Sequence, residues 1–238
     1  MSDPKKSFIF YILLLVLVTV TAALSAFVSV GTASPAAPSL GRAGSFAVLG
    51  GSTVTNTGAT AITGDLGVSS PGLSVTGFPP GTITGKQRIG DPAANQAQRD
   101  AQTAYNTLAG RTCNTALTGQ DLGGKSLAPG VYCFTSSAEL TGQLVLDARG
   151  HAGGIWVFQI ASTLTTASNA SVIMTKSGRP GNVFWQVGSA ATLGTGTTFA
   201  GNILAYSSIT MNTGAHLSGR ALARAAVTLD DNTMRLPR

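Results

Sequence analysis

From Gly130 onward the chain alternates between two kinds of short segment, one apolar and bulky, the other rich in threonine. Gly130–Phe134 leads to Ala138–Gly142, Gly154–Ile160 to Ser162–Ala167, and Asn182–Val187 to Ala191–Gly196. The same phrase returns as Gly201–Ala205 with Ser208–Gly214, and as Gly219–Ala223 with Ala226–Asp230. A strand-bearing repeat of roughly 20–28 residues predicts stacked coils, a solenoid. Period-two alternation makes Leu164, Leu193, Ile209 and Leu229 inward residues and Thr163, Thr192, Thr210 and Thr228 outward ones. Stacked in register, those four threonines form a ladder on one face. A second, bulkier set of strands, with Val157, Phe184, Trp185, Ile203, Leu204 and Leu222, is expected to fill the interior.

The first half has the same texture in Ser45–Leu49, Ser52–Gly58, Ala61–Val68 and Gly81–Gly85. A helix over about residues 92–109 then interrupts it. Asp91 suits the N-cap, Pro92 the first helical position and Gly110 the residue past the end. Ala94, Ala97, Ala101, Ala104, Tyr105 and Leu108 share one face, a small-residue stripe that allows close packing against the coils. Such a helix spans roughly 27 Å, and six coils span roughly 24 Å between outermost rungs. It can therefore carry the chain from one end of a stack to the other, so that the N-terminal coil meets the C-terminal one.

Residues 1–33 read as a targeting segment: Lys5 and Lys6 precede an uncharged run from Phe8 to Val30, and Gly31–Ala33 offers small residues for cleavage. That run is also long enough to span a bilayer, so a signal peptide and a retained anchor through residues 8–30 are both open. Residues 34–39 form a Pro- and Ala-rich linker, and 40–238 the folded domain. Either way the domain is exported: secreted, or held at the cell surface.

Charged residues make up only 10% of the chain, and the formal net charge is +6, against about 25% charged in an ordinary soluble domain. The basic residues are scattered, without the aromatic interleaving of a nucleic-acid surface. Cys113 and Cys133 are the only cysteines; in an exported chain they are expected to form a disulfide. With two histidines, His151 and His216, and one glutamate, Glu139, no catalytic or metal-binding motif can be assembled. No metal, cofactor or enzymatic activity is expected.

Several phrases resemble the microbial β-solenoid ice-binding protein family: Ala47–Gly58, Ile62–Val68, Pro129–Tyr132, Ala190–Phe199, Gly201–Ala205, and Gly219–Ala223 with Val227–Leu229. The resemblance covers Leu40 to Met234. It implies a discontinuous, right-handed, three-faced β-solenoid, mainly β, with one long α-helix alongside. It also implies an antifreeze function, with the ice crystal surface as partner; a monomer is the expected working unit. The family's Thr-(Ala/Gly)-x-(Thr/Asn) elements match at Thr57–Thr60, Thr166–Asn169 and Thr195–Thr198, while Thr213–His216 departs at its last position. The ice-binding set expected from ladder and motif together is Thr57, Thr60, Thr163, Thr165, Thr166, Asn169, Thr192, Thr195, Thr198, Thr210, Asn212 and Thr213. Glu139, His216 and Asp230 are expected to interrupt that face. The rival expectation is an adhesive or structural extracellular solenoid that binds surface polysaccharide.

Overall fold

The computed structural model describes residues 36–72 and 74–237. The targeting segment of residues 1–33, with its cleavage site or tether, lies outside the described residues, as does part of the linker. Among the described residues no helix is long and apolar enough to cross a membrane.

After a 3-10 turn at Gly41–Ser45, one coil is made by β1 (Phe46–Gly50), β2 (Thr53–Thr57) and β3 (Ala61–Thr63). The next has β4 (Asp65–Val68), β5 (Ser74–Thr76) and β6 (Thr82–Ile83), followed by β7 (Gln87–Ile89) and helix α1 (Pro92–Ala109). Beyond the helix come β8 (Thr115–Ala116) and β9 (Ser126–Leu127), then coils β10 (Gly130–Phe134), β11 (Ala138–Leu140), β12 (Gln143–Asp147) and β13 (Trp156–Ile160), β14 (Leu164–Thr166), β15 (Ser171–Thr175). The remaining strands are β16 (Val183–Val187), β17 (Ala191–Leu193), β18 (Thr198–Ala205), β19 (Ile209–Met211), β20 (His216–Ala223), β21 (Ala226–Asp230) and β22 (Thr233–Arg235). Strands β18 and β20 are eight residues long and turn a corner, serving one face with their first half and another with their second.

All the pairings are parallel, and they define three faces. The helix-covered face runs β8-β10-β13-β16-β18-β20-β1-β4-β7. A second face runs β11-β14-β17-β19-β21-β2-β5. The third runs β9-β12-β15-β18-β20-β22-β3-β6. Chain order and stacking order differ as expected: β1, β2 and β3 pair with β20, β21 and β22, so the N-terminal coils extend the stack beyond the C-terminal one. Seven coils, rather than six, contribute to the second face.

Helix α1 has the expected bounds, and Asp91 accepts a hydrogen bond from the Ala94 N–H at its start. Its buried side chains are Ala94, Ala97, Ala101, Ala104 and Leu108. Against this small stripe pack Phe46, Leu49, Val131, Val157, Phe184, Leu204 and Leu222. Four of the residues expected in the interior, Val157, Phe184, Leu204 and Leu222, therefore lie under the helix instead. They alternate with the truly internal Trp185 and Ile203 along their strands, as period two requires. In the interior, Phe158 stacks on Trp185 at 3.9 Å between ring centroids, with Tyr132 and Phe199 continuing the pile at 5.4 and 4.8 Å. Register places Tyr132, Phe158 and Trp185 on successive rungs, so the aromatic column follows from coil length.

Two devices fix the ends of the discontinuous chain. Cys113 and Cys133 are joined as a disulfide with Cα atoms 5.9 Å apart, tying the segment after α1 to β10. Arg220 in β20 donates from Nε and Nη2 to the Gly44 carbonyl and from Nη1 to Asn202 Oδ1. It thereby fastens the N-terminal turn to the C-terminal coils. Burial holds its guanidinium below its ordinary pKa.

Candidate functional site

On the second face, register brings one residue from each of seven strands into a single outward row. In order these are Glu139, Thr165, Thr192, Thr210, Thr228, Thr55 and Thr76. Six consecutive rungs thus carry threonine. Their inward neighbours, Leu164, Ala191, Ile209, Val227 and Val54, are buried and hold the backbone to the core. No register shift interrupts the sheet.

A flanking row two residues earlier on each strand contains Thr163, Ala190, Ser208, Ala226, Thr53 and Ser74, all small and uncharged. Thr163 donates its hydroxyl proton to Ser137 Oγ at 2.8 Å on the neighbouring rung. On the other side lie Asn212, Asp230 and Thr57. Neighbouring strands lie about 4.7–4.9 Å apart, and residues two positions along one strand about 6.6 Å apart. The face is therefore a two-dimensional lattice of short side chains.

The expected ladder was displaced by two residues on one rung. Leu164 pairs with Ala191, not with Leu193, so Thr165 aligns with Thr192 while Thr163 falls in the flanking row. A two-residue displacement preserves which side points out, so both remain on the face. Thr192, Thr210 and Thr228 share the central row as the ladder requires, with Thr165 in the place expected for Thr163, and Thr55 and Thr76 extend the row beyond the expected residues. The signal for Thr55 was available: in Thr53–Thr57 the threonines alternate with the inward Val54 and Asn56.

The Thr-(Ala/Gly)-x-(Thr/Asn) elements turn out to be corners between the second and third faces. Gly58, Gly196 and Gly214 have φ of 76°, 67° and 71°, and Asn169 has 59°. Glycine recurs beside threonine because the corner needs a left-handed residue there. Thr57, Asn169, Thr195 and Thr213 are exposed along this edge, with Asn212 half-buried. Thr213 donates its hydroxyl to the Asp230 carboxylate.

Three of the expected residues lie elsewhere. Thr60 and Thr166 are buried, at 0% and 3% exposure. Thr60 Oγ1 accepts from the Asn232 N–H at 3.0 Å, and Thr166 Oγ1 accepts from the Gly194 N–H at 2.9 Å beside Thr197 Oγ1 at 2.8 Å. Both hydroxyls serve the corner turns and cannot reach a surface ligand. Thr198 starts β18 on the third face, paired with Ser171 and His216. His216 is on that third face too and does not interrupt the threonine sheet. Among the described residues no group of three or more His, Cys, Asp or Glu side chains is placed to hold a metal ion.

Comparison with known proteins agrees with this geometry. The profile of the Ice-binding-like family matches residues 48–235. An ice-binding protein of Nostoc sp. (strain HG1) is 57% identical over 189 residues, covering 79% of this chain and 70% of the relative. One of Flavobacterium frigoris is 34% identical over 84% of this chain and 76% of its own. Among solved structures, an ice-binding protein from the Antarctic ascomycete Antarctomyces psychrotrophicus superposes with a TM-score of 0.81 at 43% identity, covering 84% of this chain and 98% of that one. Another, from an Antarctic biological consortium, gives 0.84 at 48% identity, with 87% and 94% covered. With the discontinuous solenoid, the helix and the threonine sheet in place, this chain belongs to the ice-binding-like family.

Proposed function

We propose that this chain adsorbs to ice through the threonine sheet and so limits the growth and recrystallisation of ice crystals. The carrying observation is the row of six threonines on adjacent rungs, Thr165 to Thr76, flanked on one side by short uncharged side chains and on the other by Asn212, Asp230 and Thr57, where Asp230 accepts the Thr213 hydroxyl. A threonine side chain is stiff about χ1, so little rotamer freedom is lost on ordering against a crystal. Its hydroxyl and methyl together can hold water in an ice-like layer, and rungs about 4.7 Å apart repeat those groups at a spacing comparable with oxygen spacings on ice planes. Long or charged side chains would hold hydration shells of their own.

The protein acts after export, secreted or held at the cell surface through residues 8–30, and a single copy presents the whole sheet. The rival polysaccharide reading calls for a contiguous aromatic platform. Among the described residues the exposed large hydrophobics are Ile89 and Tyr206. The Tyr206 ring lies 6.0 Å from Tyr105 and under Arg224 at 4.6 Å, a single corner rather than a face.

Thermal hysteresis and recrystallisation inhibition of the purified protein, beside Thr192→Tyr, test the proposal. A phenol in the middle of the row is expected to abolish most of the activity while the melting temperature holds. A folded, inactive parent would overturn it.

A further inference from the structure

The threonine row ends differently at its two extremities. At one end it finishes on Thr76 of β5, the outermost strand. At the other, the register of β11 against β14 puts Glu139 where the next threonine would stand. Glu139 is exposed, between the inward Ala138 and Leu140. Among the described residues its carboxylate has no hydrogen-bond or ion-pair partner, whereas Asp230, the other carboxylate on the face, accepts the Thr213 hydroxyl. The backbone at Glu139 is regular: Leu122 donates its N–H to the Glu139 carbonyl, and β11 pairs with β14 at all three of its residues. The rung is therefore built for the lattice and differs from the others in its side chain.

Just beyond this rung the sheet gives way to a cavity of about 360 Å³ lined by Gln120, Asp121, Ser136, Ser137 and Glu139. Two carboxylates, Asp121 and Glu139, thus border the end of the face.

We infer that Glu139 is the residue that sets where ice contact stops, so that the usable lattice is six rungs although the sheet has seven. An ionised carboxylate on a flexible stem keeps its hydration shell, because stripping it without a compensating partner is costly. Ice offers no cation to compensate. Water around that rung stays liquid-like, and the adsorbed area ends at Thr165. This rests on the proposed function, since it assigns the limit of the same face.

Glu139→Thr and Glu139→Asp, compared with the parent and with Thr192→Tyr, provide the test. The threonine variant extends the row from six threonines to seven and should raise thermal hysteresis above the parent's value at equal concentration. The aspartate variant keeps the charge and should leave hysteresis at the parent's value. Melting curves followed by tryptophan fluorescence should be nearly superimposable, because the site is exposed. An active, folded parent whose Glu139→Thr variant is no better would overturn this inference alone, as would an equal gain in Glu139→Asp. An inactive parent would overturn the proposed function together with it.

Discussion

Thr55 and Thr228 lie side by side in the threonine row, with their Oγ1 atoms 3.4 Å apart, although 173 residues separate them in the sequence. The row is therefore shared between the two ends of the domain. Thr228 and the threonines before it come from the C-terminal coils, while Thr55 and Thr76 come from the N-terminal ones.

Activity should accordingly depend on Thr55 as strongly as on Thr192. Thr55→Tyr is expected to cut thermal hysteresis severely without lowering the melting temperature, since Thr55 points out of the sheet. Retention of parental hysteresis in this variant would confine ice contact to the C-terminal coils.

Much of this arrangement was legible beforehand. The helix bounds followed from Asp91, Pro92 and Gly110, whose roles are local and depend on a few neighbouring residues. So did the pairing of the two halves, inferred from the reach of the helix. What local pattern leaves open is register between rungs. Leu164 resembles Leu193 in sequence but pairs with Ala191, and only the lengths of the intervening turns decide between them. The third-face strands β12 and β15 were likewise missed, because Gln143–Asp147 and Ser171–Thr175 lack the threonine-and-glycine phrase that marks the other face. Nor does sequence separate an exposed threonine from one folded into a corner, as Thr60 and Thr166 show.

Those two buried threonines should behave oppositely to the surface ones. Thr60→Val and Thr166→Val each remove a hydroxyl that accepts a backbone N–H. Leaving a buried donor without a partner costs about 1–3 kcal/mol. Chemical denaturation should show a loss of that order, while hysteresis measured on the still-folded variants should match the parent. Lost ice activity at full stability would mean that the corner hydroxyls shape the face directly.

Arg220 is expected to be the most sensitive polar side chain in the domain. Replacing it with alanine strands the Gly44 carbonyl and Asn202 Oδ1, both served by its guanidinium. A loss of roughly 2–4 kcal/mol is expected, together with faster proteolysis near Gly41–Ser45, because the N-terminal turn is released. Arg220→Lys should recover only part, a point charge being unable to reproduce the planar fork.

The disulfide should matter to stability and little to ice contact. Cys113 and Cys133 close a loop of 20 residues beside the helix-covered face, away from the threonine sheet. In the chain-entropy model such a link contributes about 3 kcal/mol. The double serine variant should therefore melt at a lower temperature yet keep the parent's hysteresis near the freezing point, where the fold remains populated. Hysteresis falling in a variant shown to be folded would argue that β10 positions the neighbouring β11 rung.

Acid should weaken the fold through two aspartates. The Ala94 N–H, helped by Arg88's hydrogen bond and charge, holds the Asp91 carboxyl below the usual carboxylate range against the opposing effect of burial. Burial pushes Asp121 up, but hydrogen bonds from the Thr141 hydroxyl and from the Gly123 and Thr141 N–H groups outweigh it, leaving its carboxyl below the usual range as well. A carboxyl whose pKa is lower in the folded state stabilises the fold fully above the unfolded value, and that contribution disappears as pH falls through the folded one. Stability should hold flat from neutral pH down to the ordinary range of aspartate titration and decline as pH falls below it. Asp91→Ala and Asp121→Ala should start less stable at neutral pH and show a shallower acid decline, each by the share its carboxylate contributed. Denaturation midpoints recorded across that range decide it: an acid limb as steep in both variants as in the parent would place the proton uptake at other carboxyls.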